Sequence, residues 1–321
     1  MSMNLIKFTI ITPVYNRIDC IQHCVECVRS QTYDNWEHIV VDDGSTDGTD
    51  LLLEKLSKGD SRLVYIKQAI NQGPCSARNK ALDIATGDFV IFYDSDDSLC
   101  IDALSTIFDT MMNFSGFSYY LFALDSRTDY YETHPLLNVD YCVLSYPMWI
   151  TGKVGGDFVH VMSRSLWDGI RFDVKYRIYE EMTFLSLYRL SKEQFFCNKM
   201  INHIDRNRFD SVTKEACLYK KNSIQFSKEV QKKILEEHYN AFIEYGELNI
   251  LTCKLRKLYF YTLMCRSYDE LFWIEKKVEE IGEYVPLLYK MIKRFRMGGF
   301  LSLCVKSYSY IKHFRFISFH S

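Results

Sequence analysis

No apolar run in this chain approaches the ~20 residues needed to cross a hydrocarbon core. The N-terminal stretch MSMNLIKFTIITP also lacks the long apolar segment of a secretory leader. A paired cysteine framework is missing too. The 11 cysteines are odd in number and lie mostly inside apolar stretches, so they read as free thiols in a reducing compartment. These absences predict a cytoplasmic protein, free or peripheral on the cytoplasmic face of the inner membrane. Net charge is close to nil at −2, so no global field selects nucleic acid as a partner. Internal repeats and low-complexity linkers are absent, and 321 residues then make one large domain or two modest ones. One charge sign is missing locally. From Pro286 to Ser321 there is no Asp or Glu, whereas Lys290, Lys293, Arg294, Arg296, Lys306, Lys312 and Arg315 make this end basic.

The first hundred residues alternate strand and helix. Ile6–Thr12 is a continuous apolar run, as expected of a strand buried on both faces, and Pro13 is expected to end it. Ile18–Gln31 follows as a helix, then EHIVVD (Glu37–Asp42) as a second buried strand. Asp43–Asp47 reads as a turn with helix-capping residues before a helix through Leu51–Leu56. Leu63–Lys67 is a third strand. Pro74 starts a helix to about Ala85, with Gly87 at its C′ position, and DFVIFY (Asp88–Tyr93) is the fourth strand. Repeated β-α-β units predict an α/β fold, a mostly parallel sheet with helices on both faces, and ligand binding beyond the carboxyl ends of the strands. The polar clusters Thr12–Arg17, Asp42–Asp47 and Asp94–Asp97 all fall there. Between 115 and 215 short mixed strands (Phe117–Leu124, Phe158–Ser163) surround one helix, Glu180–Leu190. Beyond 216 helices are expected near 220–245, 248–265, 269–281 and 286–316.

Asp94-Ser95-Asp96-Asp97 is the sharpest chemical feature. Clustered carboxylates repel unless a cation or proton neutralises them, and Mg²⁺ or Mn²⁺ favours oxygen ligands shared with substrate phosphates. A solvated turn or helix cap is the plain alternative for such a tetrad alone. Its company changes the balance. Thr12-Pro13-Val14-Tyr15-Asn16-Arg17, Val41-Asp42-Asp43-Gly44-Ser45-Thr46-Asp47, Asn71-Gln72-Gly73 with Ala77-Arg78-Asn79, and Thr86-Gly87-Asp88 leading into the tetrad follow in order. Together they resemble glycosyltransferase family 2, strongly over residues 6–100 and loosely over 150–215.

That resemblance implies a GT-A fold over 1–215, with a nucleotide-binding half (1–100) and an acceptor half (101–215), followed by a helical region over 216–321. It implies that Thr12, Pro13 and Tyr15 border the uridine, Asp42 accepts a hydrogen bond from uracil, and Asn71 and Arg78 lie against the nucleotide. It also implies that Asp94 and Ser95 reach the ribose or sugar, and that Asp96 holds a divalent metal, Mn²⁺ or Mg²⁺, bridging the diphosphate. The family's general base opens a helix. The matching run is Glu180-Glu181-Met182-Thr183-Phe184, so Glu181 takes the base position, with Glu180 as the competing choice. Both acids would equally suit a helix N-terminus for structural reasons. Arg206 and Ser211-Val212-Thr213 resemble a segment that closes over the diphosphate. Phe209 stands where many members carry His, and His203 is a nearby substitute or an ordinary structural histidine.

The implied reaction is an inverting transfer of a hexose or N-acetylhexosamine from a UDP-sugar to an acceptor hydroxyl. A glycan on a polyprenyl diphosphate carrier, in the synthesis of a surface polysaccharide such as O-antigen or capsule, is the expected acceptor. Two rivals stand beside it. A nucleotidyltransferase would show a Gly-rich phosphate loop after the first strand, and Thr12–Arg17 has no Gly. A catalytically inactive UDP-sugar-binding scaffold would bind without turnover. Cys20-x3-Cys24-x2-Cys27 has the spacing of an iron–sulfur motif, but i, i+4, i+7 on a helix makes one packed face. Gly152, Gly155 and Gly156 beside Trp149 line an acceptor pocket or form a simple turn. Leu287, Leu288, Met291, Ile292 and Phe295, interleaved with basic residues, suit a helix lying on anionic lipid or one docked on the protein.

Overall fold

The computed structural model describes residues 5–125, 128–176, 179–204, 223–246 and 248–307. It contains two compact units, one drawn from Met1–Trp149 and Val154–Phe209, the other from Ile150–Lys153 and Asp210–Ser321.

The first unit begins β1 (Phe8–Val14), α1 (Ile21–Arg29), β2 (Trp36–Asp42), α2 (Thr49–Ser57), β3 (Leu63–Lys67), α3 (Pro74–Ile84), β4 (Phe89–Phe92). It continues β5 (Asp97–Leu99), α4 (Ala103–Asn113), β6 (Tyr119–Leu124), α5 (Thr128–Thr133), β7 (Tyr141–Ser145), α6 (Tyr146–Ile150), β8 (Val159–Ser163), α7 (Glu181–Ser191), β9 (Glu193–Ile204). One sheet runs in the order β3-β2-β1-β4-β8-β6-β9-β5, with β7 also on β9. The first four strands are parallel, as their buried apolar runs predict. From β8 onward the sheet is mixed, with β8 antiparallel to both β4 and β6. One face carries α1, α2 and α4 on a core that includes Phe8, Ile10, Val25, Val40, Ile91 and Ile107. The other face carries α3, whose Ala77 and Ala81 are fully buried, and α7.

Several boundaries differ from expectation for clear reasons. Pro13 does not end β1: the strand runs on to Val14, with Pro13 opposite Val41. Ile11 accepts from Tyr93 N–H toward β4, so Pro13, two residues on, turns its missing N–H to a side where the ladder with β4 has already ended. Gly87 is not a left-handed helix cap, because α3 ends at Ile84 with Ala85 extended. It is required by close approach, since a Cβ there would lie 2.7 Å from Thr9 N and 2.8 Å from Lys7 O. The long helix expected over 286–316 breaks after α11 at Arg296, which takes φ 50°, before a further helical run over 298–307. β5, β7, β9 and α4 had no counterpart in the sequence reading.

The second unit comprises α8 (Ser223–Tyr245), α9 (Leu248–Met264), α10 (Leu271–Glu280), α11 (Leu287–Arg294) and the run over 298–307. Leu235, Phe242, Leu251, Leu255, Leu263 and Leu271 are fully buried between these helices. No helix of the described residues is long and apolar enough to cross a membrane.

Candidate active site

The carboxyl edge of β1, β2 and β4 carries three loops, and backbone donors tie the first two together. Asn16, at φ 51°, donates its N–H to Ser45 Oγ (2.8 Å) and accepts from Thr46 N–H (2.9 Å). Asp47 accepts from Ile18 N–H (3.1 Å) and from both N–H and hydroxyl of Thr49 (3.0 and 2.6 Å), so it caps α2 and pins the β1 loop at once. Asp42 is fully buried, with one oxygen on Ser45 N–H (2.9 Å) and the other near the Tyr65 hydroxyl (3.4 Å). Asp43, to which the sequence reading gave no role, is the tie to the next loop. Its buried carboxylate accepts from the Gln68 amide (2.7 Å), Gln72 N–H (2.7 Å) and Gly73 N–H (2.6 Å). Gly44 sits at φ 79° with a would-be Cβ 3.0 Å from the Ile70 carbonyl carbon, so only glycine fits between the loops.

The predicted nucleotide residues divide on this frame. Tyr15 is exposed at the loop edge, and Asn71 lies half-buried against Gly44. Thr12 points inward, its hydroxyl 2.9 Å from His38 Nε2 in the core, so its side chain is turned away from any ligand at this edge. Burial, with a lesser push from Arg29, holds His38 down at about 3 and hence neutral.

Arg78 joins the two halves of this unit. Rooted on α3 and 8% exposed, it donates to Asp94 Oδ1 (2.9 Å) and to Glu180 Oε1, and its guanidinium lies 5.5 Å from the Phe92 ring centre and 5.9 Å from that of Phe172. Its Nε is buried without a partner. The ion pairs bring together residues 16 and 102 positions apart, the acidic loop after β4 and the start of α7. Glu180 is thus committed to Arg78, whereas Glu181 is exposed on the first turn of α7.

In the acidic tetrad Asp94 is exposed, Asp96 half-buried, and Ser95 and Asp97 buried. Burial first, then the charge of Asp94, pushes the Asp97 carboxyl up to about 8, against a hydrogen bond from Asn202 (2.7 Å). This excess of negative charge at one loop is what a divalent cation would relieve. Among the described residues no three His, Cys, Asp or Glu side chains are arranged to hold a metal by themselves. Such a donor set fits Mg²⁺ or Mn²⁺ in the mode that takes one or two carboxylates and completes its shell with substrate phosphates.

Other candidates fall elsewhere. Arg206, Phe209, Ser211, Val212 and Thr213 lie outside the described residues. His203 on β9 is engaged by Asp125 (2.7 Å) and lies 3.5 Å from Cys100 Sγ. Trp149 is stacked on Tyr188 (centroids 4.1 Å, 12°) and donates to Gln194 (2.7 Å), so its ring faces are not open to a sugar. Cys24 is fully buried in the core, and every cysteine among the described residues is free. His160, not singled out in the sequence, stacks on Phe184 (4.5 Å, 20°). Its signal was the alternation of β8, which places it beside Phe92 on the face of Arg78.

A doubly wound sheet with an acidic loop after the fourth strand and an acid opening α7 is the arrangement of a GT-A fold. Over residues 9–133 the chain matches the family described as Glycosyl transferase family 2. The GalNAc(5)-diNAcBac-PP-undecaprenol beta-1,3-glucosyltransferase of Campylobacter jejuni is 29% identical over 212 residues, 64% of this chain and 67% of that one. TuaG of Bacillus subtilis, a teichuronic acid biosynthesis glycosyltransferase, is 42% identical over 116 residues, 34% of this chain and 46% of its own length. The fold is shared with Staphylococcus aureus TarS 1–349 in complex with UDP-GlcNAc (TM-score 0.64, 18% identity, 94% of this chain, 91% of that one).

Proposed function

We propose that this protein transfers a hexose or N-acetylhexosamine from a UDP-sugar to a hydroxyl of a lipid-linked glycan, with inversion, in polysaccharide synthesis. The observation that carries this reading is the Arg78 bridge, which binds the donor-side loop (Asp94) and the base-bearing helix (Glu180) through one buried guanidinium. The neighbours supply its chemistry: TarS was crystallised with UDP-GlcNAc, and the C. jejuni relative is named for an undecaprenyl-diphosphate acceptor.

In the reaction Glu181 takes the proton of the acceptor hydroxyl. The acceptor oxygen attacks the anomeric carbon as its bond to the β-phosphate oxygen breaks, and UDP departs with that electron pair. Glu180, one of whose oxygens is held by Arg78, is the competing choice of base. Asp96, assisted by Asp94, would hold the divalent cation, which supplies charge neutralisation for the departing diphosphate. An α-linked donor then gives a β-glycoside.

A lipid-linked acceptor is reached at a cytoplasmic membrane face, and α11 suits that surface. None of its residues is buried. It rests on α9 through Tyr289, stacked on Tyr259 (5.9 Å, 9°), while Lys293 bonds Glu275 of α10 (2.7 Å). Leu287 (73% exposed), Leu288, Met291 and Phe295 (63%) form the outward arc, with Lys290 and Arg294 along its edge.

The test is UDP release from a panel of UDP-sugars with Mn²⁺ or with EDTA. Metal-dependent turnover of one sugar is expected. No turnover together with no UDP binding by calorimetry sinks the reading, and binding without turnover on any acceptor would make the protein the inactive scaffold.

A further inference from the structure

His160 stands where the two halves of the site meet, and the reaction above leaves it without a task. On β8, Val161 lies opposite Ile91 in the antiparallel pair with β4, so His160 falls beside Phe92, one residue short of the Tyr93–Asp94 exit. Alternation along the strand turns it to the face that carries Arg78, away from the core shared by Val159, Val161 and Ile91. Its ring stacks on Phe184 at 4.5 Å and 20°. Glu181, Phe184 and Tyr188 follow i, i+3, i+7 along α7, so they share one stripe of that helix. The imidazole therefore lies on the stripe that begins with the proposed base.

The two ring nitrogens have different surroundings. Nδ1 is 2.8 Å from the hydroxyl of Tyr119, a fully buried residue whose ring packs on that of Tyr188 (5.5 Å, 30°). This fixes the ring in the plane set by the buried tyrosine pair. Nε2 has no hydrogen bond among the described residues, and it is not among the polar atoms sealed from solvent without a partner. Burial, reinforced by the nearby Arg78 charge and opposed by Asp157, keeps the ring at about 4 and hence neutral. A neutral imidazole with one nitrogen anchored and the other open pairs naturally with a hydroxyl, which can donate or accept as the tautomer requires.

We propose that His160 is a substrate-binding residue of the acceptor pocket, hydrogen-bonding through Nε2 to the acceptor sugar beside Glu181. The ligand class is a neutral polyhydroxyl group, not a phosphate. Arg78 already supplies the fixed positive charge of this floor, and its two bonded nitrogens are spent on Asp94 and Glu180. The assignment rests on the glycosyl-transfer reading.

Two conservative substitutions separate binding from scaffolding. In His160→Asn the amide occupies the Nδ1 position and keeps a partner for Tyr119. In His160→Gln the amide reaches the Nε2 position and abandons Tyr119. The assay is UDP release from UDP-GlcNAc and the other common UDP-sugars, with methyl glycosides of glucose, galactose, N-acetylglucosamine and N-acetylgalactosamine as acceptors, read as the increase over hydrolysis. Melting temperature and UDP affinity are recorded alongside. Turnover and stability should be lost in different variants. His160→Asn keeps the melting temperature and loses about tenfold in kcat/KM, by KM where a glycoside serves, whereas His160→Gln melts earlier and keeps most of its kcat/KM. Activity that tracks melting temperature in both variants, or that is unchanged in both, overturns the assignment and leaves His160 a packing residue. A wild-type protein that turns over no UDP-sugar fails one level higher, removing the transfer reading and this assignment with it.

Discussion

The two halves of the sheet stabilise their inner layers by different means. In the β1–β4 half, buried acids are surrounded by donors. Glu37 accepts from Thr9 Oγ1 (2.6 Å), Thr86 N–H (2.6 Å), Thr86 Oγ1 (2.7 Å) and Lys7 Nζ (2.9 Å), and buried Asp42 and Asp43 are served in the same way. In the β6–β9 half the inner layer is aromatic: Trp149 on Tyr188, Tyr188 on Tyr119, Phe158 edge-on to Phe196 and to Trp149. Hydrogen-bonded loops hold polar groups in fixed directions, which suits the nucleotide-binding role proposed for this half. Packed rings define a shape and tolerate exchange of one apolar volume for another, which suits the acceptor role proposed for this half.

The largest effects should come where the halves meet. Glu181→Gln is expected to lower turnover by about 10²–10⁴-fold with UDP affinity unchanged, read by steady-state kinetics and calorimetry. Asp96→Ala should abolish stimulation by Mn²⁺, and retained stimulation would remove the metal assignment. A fully dead Glu180→Gln with an active Glu181→Gln would exchange the roles of the two acids.

Next come paired losses that break the comparison directly. Asp43→Ala leaves the Gln68, Gln72 and Gly73 donors unpaired, and Trp149→Ala opens a cavity. Each should cost about 3 kcal/mol in urea unfolding. Only Asp43→Ala should also weaken UDP binding, since it loosens the loops around the nucleotide. Equal loss of UDP affinity in both variants would mean that the halves do not divide the work.

Buried groups of both halves should lower stability toward acid, with His160 on β8 acting in the same sense as His38. Burial disfavours ionised Glu37, but its hydrogen bonds outweigh this and hold the carboxyl at about 2 against 4.5 unfolded. His38 is held at about 3 against 6.5. In both windows the unfolded chain takes up a proton that the folded protein refuses, so stability is present at higher pH and falls as pH drops from 6.5 toward 2. Each group contributes up to ~1.4 kcal/mol per pH unit. Glu37→Gln should flatten the slope of the urea midpoint below pH 4.5 and leave the slope above it, which belongs to the buried histidines His38 and His160.

The same contrast governs what could be read from sequence. Asp42 and Asp47 work through partners a few residues away or on the next loop, so their spacing carries the information, and with the tetrad they fall at the predicted edge, whereas the partners of Arg78 and Asp97 on α7 and β9 could not be read from spacing. The antiparallel half was mostly missed. β9 mixes buried Phe195 and Phe196 with exposed Lys199 and Met200 because its ends pair with different strands, so it has no single period. His160 escaped because a lone histidine acquires meaning only from Tyr119 and Phe184, which lie 41 and 24 positions away. Thr12 looked like a ligand contact because it sits at a strand end, yet β1 extends two residues further and turns it into the core.

The smallest effect belongs to the basic edge of α11, in the unit where neither acid-lined loops nor stacked rings face a substrate. Lys290 and Arg294 are exposed on α11, whereas Lys293 is bound to Glu275. If α11 lies on anionic lipid, Lys290→Gln and Arg294→Gln should each cost about 1 kcal/mol, roughly a fivefold loss in sedimentation with phosphatidylglycerol vesicles, and high salt should reproduce the loss. Leu287→Ser with Phe295→Ser should weaken binding to the same vesicles without changing its salt dependence, because those residues contribute buried area and not charge. Binding that ignores the basic residues and falls only with the apolar pair would point to a protein partner on this face. The glycosyl-transfer chemistry of the first unit would stand, and its meeting with the lipid carrier would need another surface.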